Sequence, residues 1–162
     1  MRSILRCLVA VCAMTTAGCQ ESPVSPVLPV SPSEAMELER AEAKWAAKGF
    51  ESYAIEVRIA CGECPSYASQ SVRVEVVGGV FNRAVLVATG EDITEDYGGY
   101  RTPVESMFAR IRNANSDPNL RDLVVEYDET FGYPSSVASH YDPSLADAGS
   151  GVLLRNLEPL VR

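Results

Sequence analysis

Two cysteines separated by two residues are the most reactive feature of the sequence. Cys61 and Cys64 enclose a Gly-Glu pair and are followed directly by proline. Thiols at this spacing either close a local disulfide or cycle between dithiol and disulfide in exchange reactions. Exchange enzymes place the first thiol at a helix N-terminus, whereas Cys61 continues a strand pattern and a loop follows. We therefore predict a small structural disulfide, with thiol-disulfide exchange as the alternative.

The only histidine of the chain, His140, limits two further kinds of chemistry. A zinc site at the cysteine pair needs two more ligands, and one histidine cannot supply both. A general base at His140 would need an orienting carboxylate, for which Asp142 and Asp128 are the candidates. Strand alternation places His140 opposite Val137 and Tyr141, on the face that we expect to be wetter. The sequence therefore predicts neither a metal site nor a catalytic histidine.

Acidic residues concentrate in two predicted loops. These residues are Glu91, Asp92, Glu95 and Asp96 in the first loop, and Asp142 and Asp147 in the second. Carboxylate oxygens are preferred calcium ligands, but neither stretch has the D-x-[DN]-x-[DN]-G spacing of a calcium loop. We expect solvated acidic loops, with no metal and no cofactor.

Three tyrosines fall in predicted loops next to glycines, where an aromatic ring is less strongly expected in the core. They are Tyr97, Tyr100 and Tyr133. Loop tyrosines make good contact surfaces because they are amphipathic and have few rotamers to restrict. The alternative is that they cover the ends of the sheet, and the sequence favours neither interpretation.

The N-terminal residues are typical of a bacterial lipoprotein export signal. Arg2 and Arg6 precede an apolar run too short to span a bilayer, and Thr16-Ala17-Gly18-Cys19 follows it. We predict a signal peptide over 1–18 and palmitate-type lipidation of Cys19, with ordinary secretion as the alternative. Acyl chains on Cys19 would anchor the protein in the membrane.

The residues after the anchor predict where the protein resides and how far its domain reaches. The stretch 19–32 comprises the lipidated cysteine and a proline-rich tether, and 33–162 is the size of one domain. Gln20 directly after the anchor favours the outer membrane, facing the periplasm, in a Gram-negative cell. In that oxidising compartment the two cysteines of the mature domain are expected to pair.

The charge of the mature chain excludes one class of partner. The whole chain has 14 basic and 22 acidic residues, and removal of Arg2 and Arg6 leaves 12 basic residues, a net charge near −10. An acidic surface repels phosphate backbones, so we expect no nucleic-acid partner.

A Ser-Pro-x-Glu sequence predicts where the first helix begins. Ser31 supplies a capping hydroxyl, Pro32 suits the first helical position, and Glu34 can reach back to the cap. After Gly49 the apolar period changes from helical to alternating. The inward positions of the first strand are expected to be Tyr53, Ile55, Val57, Ile59 and Cys61. A second strand follows, and Gly78-Gly79 predicts a hairpin into a third over 80–87.

The second half of the domain repeats this organisation. Thr102-Pro103-Val104-Glu105 has the same hydroxyl, proline and glutamate, and predicts a second capped helix. Two alternating strands follow, the second with Val137, Ser139 and Tyr141 facing inward, and a last strand is predicted over 152–157. The order α-β-β-β-α-β-β-β predicts an α+β fold, an antiparallel sheet of about six strands with two helices packed on one face.

Short motifs spread over most of the mature domain resemble a known bacterial family. They are WAAKGFESY at 45–53, the cysteine pair, Thr102-Pro103 with Phe108, Tyr127-Asp128, and Gly132-Tyr133-Pro134. On these residues the chain resembles domain of unknown function 6174, which occurs in secreted proteins and lipoproteins. Its members often carry C-x-C, whereas this chain has C-x-x-C. The resemblance implies a small envelope domain with no established activity.

The sequence favours a non-enzymatic binding or accessory domain of the cell envelope. Its expected partners are the membrane, through lipid on Cys19, and an envelope protein. One alternative is a periplasmic thiol-disulfide exchange protein that uses Cys61 and Cys64. Another is an inhibitor that inserts the 90–100 loop into the cleft of an enzyme.

Overall fold

Two helices and a six-stranded antiparallel sheet make up the part of the chain that the computed structural model describes, residues 28–62, 64–145 and 148–160. The elements in chain order are α1 (Pro32–Lys48), β1 (Tyr53–Ala60), β2 (Val72–Val77), β3 (Val80–Leu86), α2 (Pro103–Arg112), a 3-10 turn (Ala114–Ser116), β4 (Leu120–Tyr127), β5 (Pro134–Tyr141) and β6 (Gly149–Pro159). The predicted α+β class and element order are confirmed.

The sheet joins two three-stranded meanders along one seam. Its strand order is β3-β2-β1-β6-β5-β4, so the first and last strands of the chain lie side by side in the middle. Gly78 and Gly79 connect β2 to β3 with φ angles of 59° and 75°, as the hairpin prediction requires. The last strand is longer than predicted, since its pairing with β5 begins at Gly149.

One face of the sheet carries the core, and both helices pack on it. α1 contributes Leu38 and Ala41, and α2 contributes an apolar stripe of Val104, Met107, Phe108 and Ile111. The fully buried side chains of the core include Ile55, Val57, Val74, Val104, Met107, Val137 and Leu154. Removal of this apolar surface from water is the main stabilising term of such a fold.

The folded domain begins earlier than the sequence boundary at Ser33. Val30 is buried, and the side-chain amide of Asn115 bonds to its backbone N–H at 2.9 Å and to its carbonyl at 3.0 Å. Because a distant residue satisfies these backbone groups, the last residues assigned to the tether belong to the domain. The predicted signal peptide, Cys19 and most of the tether lie outside the described residues. Within the described ranges, no helix is both long and apolar enough to cross a membrane.

The two helix N-termini, predicted to be alike, differ. Ser31 and Glu34 form the complete capping box at α1. At α2 the Thr102 side chain makes no capping hydrogen bond, so the prediction of a second capping box was wrong. The glutamate half of the box is also missing, because the Glu105 carboxylate instead accepts a hydrogen bond of 2.6 Å from the Tyr53 hydroxyl on β1.

Candidate functional site

Arg110, one of two arginines in the last turn of α2, is surrounded by hydroxyl groups. The Nη1 atom of Arg110 lies 2.8 Å from the Tyr100 hydroxyl. Its Nη2 atom lies 2.8 Å from Ser139 Oγ, 3.1 Å from the Tyr141 hydroxyl and 3.1 Å from Ser150 Oγ. We call Arg110 and these four residues the Arg110 cluster. It joins the helix to the sheet through polar groups alone.

Three separate parts of the fold place the hydroxyls around the guanidinium. Ser139 and Tyr141 lie two residues apart on β5, so both point to the same face of the sheet. Ser150 lies directly opposite Ser139 in the β5–β6 register. Tyr100 belongs to the loop that leads into α2. The cluster therefore forms only after the β5–β6 pair and the second helix have come together.

Arg110 has no acidic partner among the described residues, unlike four other arginines of the domain. Four arginines form ion pairs with carboxylates: Arg73 with Glu158, Arg83 with Asp92, Arg112 with Glu42, and Arg121 with Asp142. Arg110 contacts only neutral hydroxyls among the residues that the structure describes. In a chain with 22 acidic residues, this half-buried cation forms no ion pair with any described carboxylate.

The cluster has more hydrogen-bond donors than acceptors. An arginine side chain offers five N–H donors and no acceptor, and each hydroxyl adds one O–H donor. Because each hydroxyl oxygen accepts from Arg110, its own proton remains to be donated. No described residue accepts a hydrogen bond from these four hydroxyls. The cluster can therefore donate further hydrogen bonds to a group that brings acceptor atoms.

The cluster is accessible to solvent on one side. Ser139 is only 1% exposed and forms the base, whereas Arg110, Tyr100, Tyr141 and Ser150 are partly exposed. Partial burial strengthens an electrostatic interaction relative to bulk water. A small anion could reach the guanidinium without displacing the core.

The cysteine pair forms the predicted local disulfide. Cys61 and Cys64 are bonded to each other, with their Cα atoms 5.7 Å apart. Cys61 directly follows β1, as the strand pattern indicates. Both cysteines are partly exposed, and they line a shallow surface groove together with Arg58, Ala60 and Ser66.

Two of the three loop tyrosines lie in the core. Tyr97 is 1% exposed and stacks on Phe81 with ring centroids 5.9 Å apart. A side chain at Gly99 would lie 2.6 Å from the Tyr97 phenol, so the glycine lets the backbone close over the ring. Tyr133 is 4% exposed and packs edge-on against Trp45. Because both rings are buried, they have almost no exposed surface that a partner could contact. This burial favours the interpretation that they cover the ends of the sheet.

Tyr100 is the one loop tyrosine that reaches the Arg110 cluster. It keeps partial exposure, and its hydroxyl accepts from the guanidinium. Tyr97 is buried, and burial raises the pKa of its hydroxyl. Tyr100, by contrast, is partly exposed to solvent. Of the predicted contact residues, Tyr100 is therefore the one placed where it could contact a ligand.

His140 lies on the exposed side of β5, as its place in the strand predicts. Its side chain is 58% exposed, and its Nδ1 atom lies 3.2 Å from Asp122. The orienting carboxylate considered from the sequence was Asp142 or Asp128. Asp142 instead bonds Arg121, and Asp128 accepts from backbone N–H groups of its own turn. Asp122 is the partner because it faces His140 directly in the β4–β5 register.

Carboxylates of the two acidic loops form hydrogen bonds and ion pairs with nearby side chains of the domain. The Thr94 hydroxyl, the Thr94 N–H and the Arg83 guanidinium lower the pKa of Asp92 to about 2. Arg121, followed by Ser144, holds the pKa of Asp142 below its ordinary range. Within residues 28–62, 64–145 and 148–160, no group of three His, Cys, Asp or Glu side chains could hold a metal ion.

Reasoning from the sequence missed the Arg110 cluster. Its members are spread from residue 100 to residue 150, and none belongs to a motif. One signal was present: Ser139 occupies an inward position between Val137 and Tyr141 on an apolar strand face. A buried hydroxyl needs a hydrogen-bond partner, and this one indicates a polar group on the element packed above it.

Comparison with known families extends the resemblance to nearly the whole described domain. The model of the Family of unknown function (DUF6174) matches residues 37–159. The chain belongs to this family. No curated protein matches the sequence. Several DUF6174-like motif residues, Trp45, Phe50, Tyr53 and Tyr133, pack together edge-on around the Trp45 ring. In this DUF6174 domain Tyr53 and Tyr133 belong to the core and Trp45 packs against it, and none of the four is among the contacts of Arg110.

Proposed function

We propose that this DUF6174 protein is a lipid-anchored envelope protein whose domain binds a partner or ligand without transforming it. Residues 1–18 act as its export signal, and lipid on Cys19 holds it on a membrane that faces the periplasm. The proline-rich tether spaces the domain from that membrane. The observation that carries the binding role is the uncompensated, donor-rich Arg110 cluster.

The chemistry of the cluster supports binding in preference to reaction. A guanidinium stays positively charged at physiological pH and neither accepts nor releases a proton there. Serine and tyrosine hydroxyls at 2.8–3.1 Å from it can orient an acceptor group. His140, the one imidazole, lies on an exposed strand position beside Asp122 and is not among the contacts of Arg110.

The anchor is tested by labelling cells with a fatty acid that carries a click handle. The native protein is expected to incorporate the label and to enter the detergent phase. A Cys19→Ala variant is expected to lose both properties, and a Cys61→Ser, Cys64→Ser double variant should keep them. Equal labelling of the native and Cys19→Ala proteins would contradict lipidation at this residue.

The binding role is tested by crosslinking in intact cells, followed by mass spectrometry of the captured species. The native protein and the double cysteine variant are compared. A discrete partner captured by both supports a binding domain in which the disulfide is structural. Capture through mixed disulfides that vanish in the double variant would overturn this proposal.

The partial exposure of Cys61 and Cys64 in a surface groove favours a second candidate, thiol-disulfide exchange. Its test is the reduction potential of the pair in the full chain. Exchange proteins have potentials above about −300 mV, and a lower value marks a structural bond. The third alternative, an inhibitor loop at 90–100, has less support. The side chains of Ile93 and Tyr97 are buried in the domain, so they hold that loop against it.

A further inference from the structure

We propose that the Arg110 cluster is a binding site for a singly charged carboxylate group, carried by a small organic acid or by a peptide C-terminus. This inference rests on the proposed binding function and names the chemistry of its ligand. The cluster brings together one cation and four hydroxyls from a loop, a helix and two strands. Nothing described within the domain neutralises it.

The geometry explains why an oxyanion fits better than a neutral ligand. Nη2 carries two hydrogens but has three hydroxyl oxygens within 3.1 Å, so its hydrogen bonds are shared among them. Hydroxyl groups rotate about their C–O bonds, so these four can donate to an acceptor that reaches them. Two carboxylate oxygens supply about four lone-pair sites, enough to take donors from both the guanidinium and the hydroxyls. Charge-assisted hydrogen bonds of this kind are about twice as strong as neutral ones.

The charge of the whole chain selects a carboxylate over a phosphate. The protein has a formal net charge of −8, and the carboxylates of its surface act on any anion that approaches. A phosphate with nearly two charges meets about twice the repulsion of a carboxylate with one. One guanidinium compensates a single charge, so a monoanion leaves the site neutral.

The partly exposed tyrosines give the site a second property. Tyr100 and Tyr141 keep partial exposure while their hydroxyls contact Arg110. Their rings offer amphipathic surface next to the charged point. The site therefore suits a carboxylate attached to a small apolar group, such as the terminal residue of a peptide.

The test is an NMR titration of the full mature chain in a non-ionic detergent, with the arginine Nε–H signals observed. Sodium acetate is the first probe, and sodium chloride at equal ionic strength is its control. Acetamide is the neutral isostere. Acetyl-Ala-Ala as the free acid and as the amide then distinguishes a peptide terminus from a small acid. We expect saturable shifts of the Arg110 signal with acetate and the free acid only.

Matched variants distinguish the loss of the binding site from a change in the net charge of the protein. Arg110→Met should weaken acetate binding at least about tenfold, because the charge-assisted bonds are lost. Arg112→Met removes the same charge from the same helix and should bind acetate as the native protein does. If Arg110→Met fails to fold, Tyr141→Phe and Ser150→Ala take its place. Each removes one hydroxyl and should weaken binding by several-fold.

Three outcomes would overturn the inference. They are equal shifts with chloride and acetate, tighter binding of inorganic phosphate than of acetate, and unchanged affinity in both hydroxyl variants. Tighter binding of the peptide acid than of acetate assigns a peptide terminus, and equal binding assigns a small acid. A negative titration would not contradict a partner captured by crosslinking, since that partner can bind another surface. A negative crosslinking result would likewise not contradict carboxylate binding seen in the titration.

Discussion

The two helices begin with the same chemical pattern and use it differently. At α1, Ser31 and Glu34 bond each other's backbone and complete a local capping box. At α2, Glu105 turns away from its own helix end and accepts a hydrogen bond from Tyr53 on β1. The first glutamate stabilises a helix end, and the second attaches a helix to the sheet. A local motif thus predicts a cap only where no tertiary donor competes for its carboxylate.

The largest expected change in the free energy of unfolding comes from alkaline pH. It acts on the Tyr53–Glu105 contact and leaves the Ser31–Glu34 capping box unchanged. Burial, followed by the charge and hydrogen bond of Glu105, raises the pKa of Tyr53 above its ordinary value. Burial also raises the pKa of Tyr133 to about 12. A raised folded pKa gives stability that is complete below the unfolded pKa near 10 and is lost as pH rises toward the folded pKa.

This pH dependence is measured as the free energy of unfolding in urea between pH 9 and 11. Each buried phenol that stays protonated should cost about 1.4 kcal/mol of stability per pH unit above 10. Tyr53→Phe should therefore make the decline shallower by about that amount. Equal slopes for the native protein and Tyr53→Phe would contradict the burial of the Tyr53 hydroxyl.

At neutral pH the same substitution should lower the free energy of unfolding by about 1.5 kcal/mol. The lost hydrogen bond has a charged acceptor, and such bonds contribute about 1.5–3 kcal/mol. We expect the lower value because the Glu105 side chain is exposed and recovers water. Glu105→Gln keeps a neutral acceptor and should cost less. A larger loss for Glu105→Gln than for Tyr53→Phe would show that Glu105 acts elsewhere.

The local cap of α1 should give the next effect. Ser31→Ala removes the acceptor for the Glu34 N–H, and loss of an N-cap side chain costs about 1 kcal/mol. Urea unfolding at pH 7 measures it. Ser33→Ala is the matched control, because among the described residues the Ser33 side chain bonds only to the Ser31 hydroxyl and caps nothing. Equal losses for the two variants would contradict the capping box.

The smallest effect should come from Thr102→Ala at the second helix. Thr102 makes no capping bond, and its hydroxyl only lies 3.4 Å from Ser106 Oγ. We expect a change within about 0.5 kcal/mol, as for ordinary surface substitutions. A loss as large as that of Ser31→Ala would remove the difference between the two helix ends.

The Arg110 cluster extends the same contrast to function. Glu105 and Arg110 both lie on α2 and contact residues outside the helix, but their surroundings differ. The Glu105 carboxylate meets a hydroxyl that has a proton to give. The Arg110 guanidinium meets hydroxyls that are donors themselves. The hydrogen bond to Glu105 uses the proton of the Tyr53 hydroxyl. The four hydroxyls around Arg110 can still donate their protons to the ligand that we propose.

Most of the fold could be predicted from the sequence, and the candidate site could not. Alternation around Ile55 and Val74 and the stripe through Met107 report burial within a few residues, so they reveal strands and helices directly. The disulfide between Cys61 and Cys64 is equally local. Tyr97 and Tyr133 are different, because loop position says little about burial when another segment closes over a ring.

The sequence by itself determined the element order, the antiparallel α+β class and the disulfide, since each depends on near neighbours, and the export signal stays a prediction. Only the tertiary structure decided that β1 lies beside β6, that Glu105 bonds Tyr53, and that Arg110 meets Ser139 and Ser150. These contacts join residues 29 to 106 positions apart. Their partners are chosen by strand pairing and helix docking, which no local pattern encodes.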